Sequence, residues 1–243
     1  MGVNCKPIGG ICNRLKFIIS CIDKYGDIKL EWAITTDGGV GCNFNDIYKN
    51  KFSDINYGNN TSGCEFIDKS MNTNNNNHRK LNIDENTRKR YIDIFNSLEL
   101  VDEIKEKIET DLSKLPSKFT LVSIRSFTSF ARENKSWGNR FDINKAYNYI
   151  SKIEDDNIVL MGDNVTINKQ IRDKFPHVIL FRENQITGEF NNKTGVSNIL
   201  RDLYIGLNAE TIYGTNMSSF PELQWLLSGL PASKYINMIL HNY

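Results

Sequence analysis

The sequence predicts an α/β protein with a parallel sheet in its C-terminal half, and two observations carry that expectation. From residue 119 onward, short apolar strands alternate with helical stretches: Phe119–Ile124, Ile143–Ile153, Ile158–Met161, Ile167–Phe175, Val178–Phe181, Ile199–Asn208 and Thr211–Tyr213. Strands separated by helices pair in parallel, with helices over both faces. The second observation is the stretch Thr211–Gly229, TIYGTNMSSFPELQWLLSG, which reads strand, polar turn, helix. Ser219 and Glu222 have the spacing of a capping box, Pro221 fits a first helical turn, and Gly229 with Pro231 marks the stop. Leu223, Leu226 and Leu227 supply an apolar stripe. Thr215, Ser218 and Ser219 thus set hydroxyls beside free amides at a helix N-terminus. That is either an anion site or a serine that simply starts a helix.

The N-terminal half begins with a short strand over residues 2–5, then Pro7-Ile8-Gly9-Gly10 and ICNRLKFIISCIDKYG. The latter has helical periodicity through Leu15, Ile18, Ile19 and Ile22, ending near Gly26. Strand, double glycine and helix is a phosphate-type geometry, but neither G-x-G-x-x-G nor a P-loop is present. Ile28–Ile34 is a second strand, Thr35–Asn43 a glycine-rich loop, and Phe44–Tyr48 the start of a short helix. Residues 54–57 and 64–67 are candidate short strands, and Ser70–Lys80, with four consecutive asparagines, is a low-complexity loop. Two helices follow over Asn86–Ser113, with apolar spacing at Tyr91, Ile94, Phe95 and Leu98, then at Ile104, Ile108 and Leu112. Leu115-Pro116-Ser117 divides the chain into residues 1–115 and 116–243.

Composition excludes several function classes. A net charge of +1 gives no field to recruit nucleic acid or a membrane surface, and no apolar run is long enough for a membrane span. The N-terminus lacks a signal-peptide pattern, and the five cysteines (5, 12, 21, 42 and 64) show no C-x-x-C spacing. Free thiols in a cytoplasmic protein are expected, with neither disulfides nor a zinc site. The three histidines (78, 177 and 241) have no partners at catalytic spacing, and Trp32 and Trp225 read as core.

Parallel sheets bind ligands at the carboxyl ends of their strands. The residues just past those ends are Arg125, Gly162-Asp163-Asn164, Arg182 and the Thr215–Ser219 turn. Two cations, a carboxylate with an amide, and a hydroxyl-lined helix start suit a nucleoside diphosphate. Asp163-Asn164 equally suits a cap for the helix starting at Val165. The aromatic loop Phe127–Phe141, with Trp137, Arg132 and Arg140, is long for a connection, and such loops are often functional.

Four motifs in order resemble the fucosyltransferase superfamily that includes nodulation α1,6-fucosyltransferase and the protein O-fucosyltransferases. G-G-x-x-N-R-L occurs as Gly9 to Leu15, a strand ending in H-x-R appears as Ser123-Ile124-Arg125, and a strand ending in a T-D-[DN] type turn as Gly162-Asp163-Asn164. D-L-x-x-L…G-T-x-x-S-S-F-x-E runs from Asp202 to Glu222. The resemblance implies two Rossmann-like domains facing a cleft, the GT-B arrangement. Residues 1–115 would then be the acceptor side and 116–243 the nucleotide-sugar side. It implies inverting, metal-independent transfer of fucose from GDP-fucose to a glycan hydroxyl, without a cofactor. Arg125, Thr215, Ser218, Ser219 and Phe220 would lie at the diphosphate, Asp163 and Asn164 at the guanine, and Gly10, Asn13 and Arg14 across the cleft. Arg125 would stabilise the leaving group. Asp37 and Asp46 are the candidates for an acceptor base. The histidine usual before the arginine is here Ser123, and the chain is shorter than expected of such enzymes. A non-catalytic nucleotide-sugar or carbohydrate-binding protein on the same scaffold, or an unrelated nucleotide-binding α/β enzyme, are the alternatives.

Overall fold

A computed structural model of the chain describes residues 3–35, 39–52, 60–63, 71–73, 79–81, 83–127, 138–181, 192–216 and 218–242. The N-terminal half opens with β1 (Val3–Pro7), α1 (Ile11–Tyr25) and β2 (Ile28–Leu30). With β3 (Asn60–Gly63) these strands form a parallel three-stranded sheet in the order β2-β1-β3. Gly9 makes the turn from β1 into α1 at φ +80°, a backbone region in which a Cβ is strained. β2 stops four residues before the expected end, and side-chain hydrogen bonds hold the chain beyond it. Arg14 donates to the Ala33 carbonyl and Trp32 Nε1 donates to the Cys42 carbonyl. The candidate strands at 54–57 and 64–67 lie outside the described residues. β4 (Met71–Thr73) and β5 (Arg79–Leu81) pair antiparallel. The expected helix pair is present as α2 (Glu85–Asn96), started by Asp84 accepting from Thr87 N at 2.9 Å, and α3 (Asp102–Leu112).

The C-terminal half carries β6 (Thr120–Ile124), α4 (Ile143–Ile150), β7 (Ile158–Gly162), α5 (Val165–Lys174), β8 (Ile179–Leu180), α6 (Lys193–Gly206), β9 (Thr211–Thr215), α7 (Ser219–Ser228) and β10 (Tyr235–Met238). Every neighbouring pair in the five-stranded sheet is parallel, in the order β10-β9-β6-β7-β8. Counted from β6, this is the 3-2-1-4-5 order of a Rossmann-like sheet. Side chains alternate across it, as a pleated strand requires. Val122 and Ile124 pack with Ala146 of α4 and Ile171 of α5, whereas Leu121 packs with Leu203 of α6 and Leu226 of α7. α6 starts six residues before the expected Ile199, because Asn192 caps it through Gly195 N at 2.9 Å.

One apolar cluster crosses the expected boundary at 115. Leu15 and Ile18 of α1, Tyr91 and Phe95 of α2, and Ile104 of α3 share it with Leu203, Leu223 and Leu226. Arg88 of α2 ties the far end of α7 into this contact. Its guanidinium donates to the Trp225, Leu226 and Leu230 carbonyls at 2.6, 3.0 and 2.6 Å and lies 4.1 Å from the Trp225 ring centre. The Trp225 and Leu226 carbonyls are among the last four of α7, which a helix C-terminus leaves without an i+4 amide partner, and a cation there also suits the helix dipole. Gly229, at φ +76°, ends α7 in the left-handed conformation that the Gly-x-Pro signal anticipated. Among the described residues no helix is long and apolar enough to cross a membrane.

Candidate anion site at the strand order reversal

In a 3-2-1-4-5 sheet the connections leave in opposite directions from the first and fourth strands, opening a crevice beyond their carboxyl ends. Here those strands are β6 and β9. Arg125 follows the one and Thr215 ends the other. The fully buried Thr215 hydroxyl accepts from Arg125 N at 2.9 Å and donates to the Ser123 carbonyl at 3.1 Å, locking the two ends together. It is a positioning group, with both roles of its hydroxyl engaged inside the protein.

Asp163, at the end of β7, organises the loop after β6. Its Oδ1 accepts from Ser126 N and Oγ at 2.7 and 2.8 Å, and its Oδ2 accepts from Phe127 N at 3.2 Å and pairs with Arg125 Nη1 at 3.1 Å. These contacts hold Phe127 at φ 59°, the one described non-glycine residue with positive φ. Such a conformation costs about 1–3 kcal/mol and persists only where the surroundings impose it. The Phe127 ring lies 5.3 Å from the Arg125 guanidinium and edge-on to His241, which Phe141 flanks on its other side. His241 Nε2 is 3.4 Å from the Ser126 carbonyl, and burial pushes its pKa below the ordinary histidine value. Asn164 is the helix cap that the sequence allowed, accepting from Ile167 N at 3.1 Å.

Two helices start beside this crevice without a side-chain cap. α7 begins at Ser218 and α1 at Gly10, and neither makes a capping hydrogen bond. Ser218, not Ser219, is the N-cap, which puts Pro221 at the third helical position, so the expected box of Ser219 with Glu222 does not form. The Ser218 hydroxyl, in a residue only 6% exposed, has no hydrogen-bond partner among the described residues, and Ser219 likewise has none. A Cβ built on Gly10 would meet nothing within 4 Å, so its absence leaves open space in front of α1. The side chain of Asn13, half-buried one turn further along, makes no hydrogen bond among the described residues.

α1 and α7 are joined by a buried ion pair, Lys16 Nζ to Glu222 Oε1, with both side chains about 95% buried (5% and 4% exposed). The Cys12 thiol, one turn before Lys16, reports how closely these groups gather. Burial pushes it up to about 12, while Lys16 and Arg125 pull it down and Glu222 adds to the rise. Arg125, the first turn of α1 and the first turn of α7 therefore share one electrostatic neighbourhood. Unfilled amides at two helix starts, an arginine and unengaged hydroxyl and amide side chains can hold an anion with several oxygens.

The remaining expected site residues fall elsewhere. Arg14 is 1% exposed, and each guanidinium nitrogen makes a hydrogen bond, to the Gly9 and Ala33 carbonyls at 2.8 and 2.6 Å and to Thr35 Oγ1 at 3.0 Å, over the Trp32 ring. It fastens the glycine turn to the loop after β2 from inside. Asp46 accepts from Asn43 N at 2.8 Å in the capping box of the 3-10 turn Phe44–Asp46. Phe220 is half-buried against the shared core. Asp37, Arg132, Trp137 and Arg182 lie outside the described residues. Sequence reasoning passed over Lys16, Arg88, Ser126 and His241. A lysine or arginine on an amphipathic helix looks solvated, and no local signal marks a partner 206 residues away.

No protein-family model and no curated protein sequence matches the chain. Solved structures do. A NodZ α1,6-fucosyltransferase crystal soaked with GDP-fucose is similar at 15% identity and a TM-score of 0.56, over 93% of this chain and 92% of that one. The fucosyltransferase NodZ from Bradyrhizobium is similar at 14% identity and a TM-score of 0.57, with the same coverage of both chains. A NodZ crystal grown with GDP is similar at 13% identity and a TM-score of 0.58, again over 93% and 92%. At these identities the likeness establishes the fold: this chain is an α/β protein with the parallel-sheet architecture of GT-B fucosyltransferases.

Proposed function

We propose that this protein is a glycosyltransferase that binds a nucleoside diphosphate sugar at the crevice between β6 and β9, with GDP-fucose as donor and a glycan hydroxyl as acceptor. The observation that carries the proposal is the meeting of Arg125, Ser218 and the uncapped start of α7 where the strand order reverses, facing the start of α1. Two of the similar structures were obtained with GDP-fucose or GDP, which supports the choice of base and sugar. In this reading residues 1–115 hold the acceptor and 116–243 the donor.

The chemistry follows from what these side chains can do. Breaking the bond between the sugar and the diphosphate leaves growing negative charge on the leaving oxygen. Arg125 and the helix-terminal amides are already oriented before that charge develops, so they stabilise it without reorganising. No metal is required for that step, and attack by the acceptor from the opposite face inverts the anomeric carbon. Asn13 and the open space at Gly10 receive the donor from the N-terminal half. Asp163 and Asn164 are committed to the Arg125 loop and to the cap of α5. Contacts to the guanine therefore draw on main-chain groups or on atoms those contacts leave over.

A second reading, a nucleotide-sugar-binding protein without turnover, is favoured by one observation: Asp46 is engaged in a cap. A thermal-shift panel of GDP, UDP, ADP and NAD, followed by an assay for GDP release from GDP-fucose, tests both. Stabilisation by GDP above the others with GDP release supports the transferase. Stabilisation without release under any acceptor supports the binding protein, and stabilisation by UDP or ADP alone rejects the guanine assignment.

A further inference from the structure

We infer that Lys16 is a positioning residue that sets the sign of the anion site by neutralising Glu222 from the opposite half of the molecule. The inference rests on the proposal that a diphosphate binds beside Arg125. Glu222 lies in the first turn of α7, where an anion site needs positive potential, and its side chain is 4% exposed. A carboxylate there opposes a bound diphosphate unless a cation offsets it, and water does little of that work at such burial. The offset comes from Lys16 on α1, 206 residues earlier in the chain.

The charges around the crevice balance in two pairs among the described residues: Arg125 with Asp163, and Lys16 with Glu222. Arg14 directs its guanidinium to the Gly9 and Ala33 carbonyls and Thr35 and is held away in the turn. Within these two pairs the charges offset one another, and the helix-terminal amides add attraction for an anion. Removing Lys16 alone takes away the cation that offsets Glu222 and shifts the site toward negative charge. Removing the charge of Glu222 alone tips it the other way. Cys12, whose thiol responds to Lys16, Glu222 and Arg125 together, marks the three as close enough for this to matter. The same pair also ties α1 to α7, so a purely mechanical role is the rival explanation.

The two roles separate in one set of measurements. Inorganic pyrophosphate, GDP and uncharged guanosine are titrated by calorimetry into the parent, Lys16→Met, Glu222→Gln and Lys16→Met/Glu222→Gln, each checked for folding by circular dichroism. A sign-setting role predicts that Glu222→Gln binds pyrophosphate and GDP as tightly as the parent or tighter. Lys16→Met should lose roughly tenfold or more for both anions, with guanosine unaffected, and the double variant should recover most of that loss. Should Lys16→Met fail to fold, Glu222→Gln and the double variant decide alone, because a mechanical tie predicts weaker binding in both. Weaker pyrophosphate binding by Glu222→Gln, or an equal loss for guanosine and the anions, overturns the inference while leaving the site in place. A parent that binds pyrophosphate but not GDP rejects the guanine assignment and leaves Lys16 testable with pyrophosphate. A parent that binds neither rejects the site and the role of Lys16 together.

Discussion

Replacing Thr215 with valine keeps the shape of the side chain and removes a hydroxyl that makes two hydrogen bonds between strand ends. The residue is fully buried, so no water replaces the lost partners. Arg125 N then has lost its acceptor at 2.9 Å, and a buried unsatisfied donor costs about 1–3 kcal/mol. The Ser123 carbonyl loses a donor at 3.1 Å, worth about 0.5–1.5 kcal/mol. A total of roughly 2–3 kcal/mol is expected, and for a chain of this size that lowers Tm by about 5–10 °C. Thr215→Ser keeps the hydroxyl and drops a methyl group, so it should cost only about 1 kcal/mol. Urea unfolding of the parent and both variants, followed by tryptophan fluorescence, measures the difference. Because Arg125 hangs from the same tie, Thr215→Val should also weaken pyrophosphate binding more than Thr215→Ser. Equal stability of the two variants would falsify the idea that the hydroxyl, not side-chain volume, joins β6 to β9.

Three further outcomes follow. Arg88→Met removes a donor from three carbonyls at and just past the end of α7, of which Trp225 keeps Ser228 Oγ at 2.9 Å; a loss of about 2–4 kcal/mol in denaturant unfolding is expected, and a change under 1 kcal/mol contradicts the capping role. His241 is buried and its pKa is depressed by desolvation, so the unfolded chain takes up protons that the folded chain refuses. Stability is therefore held above the unfolded value of about 6.5 and declines as pH falls below it. His241→Phe, packed between Phe127 and Phe141, should flatten the Tm profile between about pH 6.5 and 5, with Asp163 and Lys145 as the other nearby charges; an unchanged slope rules His241 out as the source. Finally, transferase activity should survive excess EDTA. Loss of activity restored by magnesium or manganese would reveal a carboxylate ligand set and reject metal-independent transfer.

Much of the C-terminal half was legible because its strands are apolar and its connections helical. β6 and β7 are buried on both faces and read directly from TLVSI and IVLM. β10 was missed: YINM follows Pro231, shows no period-two alternation and forms an edge, so only pairing with β9 makes it a strand. Arg125 and Ser218 could be placed in sequence at a strand end and a helix start, where the structure has them, because such ends leave marks in sequence. Arg14 was placed in the site on a motif, yet each of its three guanidinium nitrogens donates to a neighbouring carbonyl or to Thr35. Glu222 was expected to cap its own helix and instead reaches Lys16. Long-range electrostatic partners of this kind leave no periodic trace, so the site's charge balance emerges only when the two halves are brought together.

Calorimetric titration of GDP into the parent and into folded Arg125→Ala bears most directly on the placement of the donor. Losing a charge-assisted partner at a diphosphate removes about 2–5 kcal/mol, so binding should weaken at least tens-fold. Arg125→Lys should recover part of that, since a point charge cannot reproduce a planar fork of donors. The parent should also bind GDP more tightly than UDP or ADP. If Arg125→Ala, folded by circular dichroism, binds GDP with the affinity of the parent, the nucleotide does not lie against the end of β6, and the likeness to fucosyltransferases stops at the scaffold.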